Sequence, residues 1–74
     1  MISLYKLPLN VKAKIVKVDD NFLQLQMLAK GLTKGTIIEI SRKTLGGSCI
    51  YLKSISHAIA IQSELARAIF VEKV

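Results

Sequence analysis

Cys49 and His57 are the residues of this sequence with soft nucleophilic or metal-binding atoms. They stand eight positions apart, and a thiol–imidazole dyad also needs a third group to orient its base. No C-x-x-C or H-x-x-x-H spacing points to zinc or iron. The pattern therefore predicts no catalytic residue, no metal site and no cofactor. Cys49 reads as a small apolar filler of a strand and His57 as a turn residue. Gly46-Gly47 lacks the Gly-Lys-Ser/Thr ending and following helix of a phosphate cradle, so it reads as a turn. Lys12, Lys14, Lys43 and Lys53, with Tyr51 nearby, are the residue types of a single-strand nucleic-acid face, where bases stack on an aromatic beside cations. There are only two Tyr, two Phe and no Trp, and Phe22 and Phe70 are expected in the core. A solvated basic sheet face is the stronger expectation, and nucleic acid is not the expected partner.

The remaining candidates are surfaces. Met27, Leu28, Gly31 and Leu32, together with Leu45, Gly46 and Gly47, place apolar atoms beside glycine backbone, which suits docking of a partner segment. Plain core packing is the competing expectation for Met27 and, more strongly, for Leu32.

Such surfaces need a scaffold, and composition limits what it is. In 74 residues, 51% are hydrophobic, 22% are charged and one is proline, so the chain is expected to fold as one domain over 1–74. A chain this short buries only about 60% of the surface its unfolded form exposes, and the apolar surplus is expected to leave a patch outside. A single cysteine allows no internal disulfide. The longest uncharged stretch, Ser54 to Ser63, has ten residues against the roughly 20 needed to cross a bilayer. The opening Met1-Ile2-Ser3-Leu4-Tyr5-Lys6 has no signal-peptide pattern, so the expected location is the cytoplasm. The net charge of +6 and the pI near 9.8 suit an acidic protein surface, anionic lipid or nucleic acid. The basic residues are scattered singly, as on a solvated outer face.

The elements follow from periodicity. Val11-Lys12-Ala13-Lys14-Ile15 alternates at period two, and Val16-Lys17-Val18 continues in the opposite phase, which predicts a strand with a bulge. Asp19-Asp20-Asn21 offers caps for a helix over about 22–30, with Phe22, Leu25 and Ala29 on one face. Gly31 ends it in the left-handed conformation, and Leu32 folds back on Met27. Thr33-Lys34-Gly35 reads as a turn, Thr36 to Arg42 and Cys49 to Lys53 as a hairpin around Leu45-Gly46-Gly47-Ser48. Ala58 to Ile61 is a short strand, Ser63 caps a helical turn near 63–67, and Ala68 to Val71 closes the sheet. Five short strands and one short helix predict a mainly β fold, a small barrel with few open edges. Edge strands also leave room for a homodimer.

This order of motifs resembles the FeoA family and the related SH3-like domain at the end of iron-dependent repressors. The resemblance rests on Leu4-Tyr5-Lys6-Leu7-Pro8, the Val11-to-Val18 strand and Leu28-Ala29-Lys30-Gly31-Leu32-Thr33-Lys34-Gly35. It extends through Ile37 to Arg42, Gly46-Gly47, the run from Ala60-Ile61-Gln62 to Ala66, and Ile69-Phe70-Val71. It implies an SH3-like five-stranded barrel that is not an enzyme and supports ferrous iron transport by binding the cytosolic side of FeoB, a membrane transporter with a G-domain. Several positions depart from the family pattern. Asn10 stands at a usual glycine, Gln26 and Gln62 at arginines, Lys30 at Leu or Met, Thr44 and Ser48 at prolines, and Leu65 at glutamate. The missing guanidinium forks alter any contact that used them.

Overall fold

A computed structural model describes residues 1–55 and 58–74; the turn expected at His57 lies outside the described residues. The first strand, β1 (Ile2–Ser3), runs into a 3-10 helix over Leu4–Lys6. In β2 (Lys12–Val18), Ala13 and Ile15 are buried while Lys12 and Lys14 are exposed, as the alternation predicts. Its pairing with β6 (Ile69–Lys73) shifts register between Ile15 and Lys17, so Val16 is the extra residue of the expected bulge. A second shift, without a sequence signal, falls between Ile40 and Arg42 in β3 (Ile37–Lys43) where it pairs with β4 (Cys49–Lys53). There the Ser41 hydroxyl donates to the Tyr51 carbonyl at 3.2 Å. With β5 (Ala58–Gln62), the strands form one antiparallel sheet in the order β1-β6-β2-β3-β4-β5.

The five expected strands are present. The sixth, β1, pairs Ile2 with Val71 and Ser3 with Phe70, and two residues are too few to show a period. Bulged strands coil strongly, and the short α2 (Ser63–Ala66) leaves β5 to touch the 3-10 helix beside β1. The two edges of the sheet are thereby drawn together around Leu4, Leu7, Ile15, Ile38, Ile40, Ile50, Ile69 and Val71, all fully buried. Each such side chain contributes about 1.5–3 kcal/mol on transfer from water. Asn10 has φ 62, the left-handed conformation that explains its place at a usual glycine.

One helix, α1 (Asn21–Ala29), packs on the sheet. Its start is set by Asp20, whose Oδ1 accepts from the Leu23 amide at 2.9 Å. Its end is a reversal through Gly31 at φ 80, with the Gly31 amide donating to Leu28 O at 3.0 Å and the Leu32 amide to Met27 O at 2.8 Å. This is the expected glycine cap. The buried face differs from the expectation: α1 buries Leu23 and Met27, whereas Phe22, Leu25 and Ala29 are exposed. The Gly31 reversal sends Leu32 into the core at 3% exposure. The helix rotates to bring Met27, four residues after Leu23, inward beside it.

Candidate functional site

Around α1, β5, α2 and the β3–β4 turn, the local chemistry of each segment leaves a continuous surface. A cleft of about 420 Å³ runs between α1 and β5–α2, with Phe22, Gln26 and Lys30 on one wall and Ala60, Gln62 and Leu65 on the other. Gln62 also borders a second depression shared with Tyr5, Gly46, Gly47 and Arg67. Gln26 and Gln62, the two departures from arginine, thus line the same cleft. The β3–β4 turn takes its shape from Gly46 at φ 88 and Gly47 at φ 74, conformations that L side chains rarely adopt. The Gly47 amide closes the turn on the Thr44 carbonyl at 2.9 Å. Leu45 at its tip stands completely outside.

Ser63 fastens this turn to α2. It is not the helix cap: Gln62 holds that position without a side-chain cap bond. The Ser63 hydroxyl instead donates to the Gly47 carbonyl, and its amide donates to the Ser48 carbonyl at 3.1 Å. At 7% exposure a hydroxyl needs such a partner, and the glycine turn supplied one that α2 did not.

The sequence-derived surface residues divide. Met27 and Leu32 are 2% and 3% exposed and belong to the core cluster. Leu28, Gly31, Leu45 and Gly46 are exposed, and Gly47 is half-buried. Phe22, expected in the core, is 70% exposed, and Phe70 is half-buried.

The four lysines do not form one patch. Lys12 and Lys53 are both register partners of Glu39, and the Lys53 Nζ lies 3.8 Å from the Glu39 carboxylate. Lys14 sits opposite Glu72. Lys43 lies elsewhere, donating to the Tyr5 carbonyl at 3.2 Å. The tyrosine faces are occupied as well: the Arg42 guanidinium lies 4.4 Å from the Tyr51 centroid, and Arg67 lies 4.6 Å from that of Tyr5. Such cation–π contacts take the ring surface on which a base would stack. Cys49 is half-buried in β4 with a free thiol. Among the described residues, no three His, Cys, Asp or Glu side chains gather as a metal site, and no helix is long and apolar enough to cross a membrane.

A short, bulged, antiparallel sheet with its edges drawn together by helical turns defines a small SH3-like β domain. The FeoA domain model matches residues 2–73, and the chain belongs to the FeoA family. The FeoA protein of Chlorobium tepidum superposes with a TM-score of 0.92 at 18% identity, covering 99% of this chain and 70% of that one. Iron(II) transport protein A of Clostridium thermocellum gives 0.89 at 27% identity, over 99% of this chain and 46% of that one. The zinc-complexed FeoA of Stenotrophomonas maltophilia, described as a prokaryotic SH3 domain protein, gives 0.80 at 21% identity, over 97% of this chain and 91% of that one. No curated protein sequence matches the chain.

Proposed function

We propose that this chain is a non-enzymatic adaptor or regulator of ferrous iron transport that works in the cytoplasm by binding the cytosolic part of a FeoB-like membrane transporter. The observation that carries the reading is the FeoA match across residues 2–73. The continuous surface over α1, Gln62 and the glycine turn is the place on this chain that suits a macromolecular contact. Leu45, Gly46 and Gly47 offer the contact atoms at the turn. Leu28 and Gly31 are exposed as well, but Leu28 borders a separate hollow with Gln24 and Leu32 on the other flank of α1, and Met27 and Leu32 belong to the core. Docking of a partner segment against glycine backbone and a projecting leucine gives affinity through buried apolar area.

Co-purification with the cytosolic part of the transporter tests this. The intact chain is expected to co-elute, Leu45→Glu to weaken the complex by about tenfold or more, and deletion to lower ferrous iron uptake. No association together with unchanged uptake overturns the proposal.

A further inference from the structure

Three segments far apart in the chain bring positive charge onto one ring. Tyr5 lies in the 3-10 helix, Lys43 ends β3 and Arg67 follows α2. The Arg67 guanidinium is 4.6 Å from the Tyr5 centroid and the Lys43 Nζ is 5.9 Å from it. The two charges therefore stand within about a Debye length of each other, roughly 10 Å at 0.1 M salt, and like charges that close repel. Both residues are exposed. Among the described residues the ion pairs are Lys17–Asp19 and Lys53–Glu39, so neither cation at Tyr5 has a carboxylate partner. Lys43 donates to the Tyr5 carbonyl. The Arg67 side chain has its contact with the ring and no hydrogen bond among the described residues, which leaves its five N–H donors for a ligand.

Arg67 borders the hollow of about 500 Å³ that Tyr5, Gly46, Gly47 and Glu64 also line. We infer that this hollow receives a single carboxylate, an Asp or Glu of the partner segment that docks on the glycine turn. The inference rests on the transporter reading for its partner and adds the chemistry by which that partner is recognised. Glu64 sets the charge balance. Together with Lys43 and Arg67 it leaves one net positive charge, which one carboxylate neutralises and a phosphate group, at about −1.5 to −2, over-compensates. The planar fork of a guanidinium matches a carboxylate through two parallel hydrogen bonds. Both cationic heads are placed beforehand, one on the ring and one on the Tyr5 carbonyl, so binding orders little that is not already ordered. The Ser63 hydroxyl, donating to the Gly47 carbonyl, fixes the glycine turn beside them. Gly46 and Gly47 have no side chain to hold an incoming chain away, and Leu45 at the tip of the same turn is wholly exposed. The segment that fits therefore carries an acidic residue next to an apolar one. Nucleic acid fits less well, because the cations cover the ring on which a base stacks and Glu64 faces its phosphates.

The test has two arms, both on the whole chain. In a nuclear magnetic resonance titration, N-acetyl-Glu-Leu-amide is expected to shift the Arg67 Nε–H and the Gly46 and Gly47 amide signals saturably, with a Kd of about 1–10 mM. N-acetyl-Gln-Leu-amide is expected to leave them in place, as is the Glu peptide with Arg67→Gln or Lys43→Gln, each first shown to keep the unfolding midpoint. In the second arm, Arg67→Glu is expected to raise the Kd for the cytosolic part of the transporter about tenfold or more at about 50 mM salt, and the difference is expected to narrow at about 300 mM. If no form of the chain binds the transporter, the transporter reading fails and the peptide titration alone decides the carboxylate site. Three results overturn the inference: Glu and Gln peptides that give the same shifts, inorganic phosphate that binds these residues more tightly than the Glu peptide, or a transporter complex that Arg67→Glu and Lys43→Gln leave equally tight.

Discussion

Asp20 decides where α1 begins because its carboxylate replaces a hydrogen-bond partner that the first turn of a helix lacks. The bond to the Leu23 amide is 2.9 Å long, and Leu23 is one of the two residues through which the helix enters the core. Asp20→Ala is expected to cost about 1 kcal/mol of stability, read as a lower urea midpoint with unchanged slope. The cap was legible from Asp19-Asp20-Asn21 because its partner lies three residues away. Ser63 was misread at the same scale. Serine before Glu64 looks like a cap, but the hydroxyl found the Gly47 carbonyl, 16 positions back in the chain, and no local pattern announces a partner that distant.

At the scale of elements, α1 shows the limit of periodicity. Phe22, Leu23, Leu25, Met27 and Leu28 supply apolar residues in every direction around the helix, so no single stripe identifies the inward side. The choice came from packing on the sheet, which takes Leu23 and Met27, with Leu32, into one core cluster with Ile15 and Ile38. Truncations on the two sides separate the roles. Met27→Ala is expected to cost about 2–5 kcal/mol, and Leu25→Ala less than about 0.5 kcal/mol, both measured by urea unfolding. Equal losses would place Leu25 in the core. Strand β2 is the contrasting case. Its phase slip at Val16 was visible because a bulge is local, and the second bulge at Ser41 was not, because Ser-Arg-Lys carries no alternation to interrupt.

Across the whole molecule, the charge of +6 gives no concentrated cationic face among the lysines singled out from the sequence. Glu39 lies between Lys12 and Lys53 in register, and Glu72 lies opposite Lys14, while Arg42 covers Tyr51. Single-stranded DNA is therefore expected to bind no tighter than the ~10⁻⁴–10⁻⁶ M of non-specific contacts at physiological salt. A filter-binding titration with nanomolar affinity would contradict this. The apolar surplus expected from so short a chain is present, as Phe22, Leu25, Leu28, Leu45 and Ile55, all more than half exposed. Composition required such a surplus without saying where it would lie.

The five longer strands, the Val16 bulge, the capped helix and the left-handed turns were written in the sequence, because each is set by neighbours within about four residues or by the steric freedom of one glycine or asparagine. Which side of α1 faces water, where the lysines fall, and that Gln26 and Gln62 share one cleft were decided only by the tertiary structure. Those relations join residues far apart in the chain, as Lys43 joins Tyr5 across 38 positions. They come into being when the bent sheet brings its edges together.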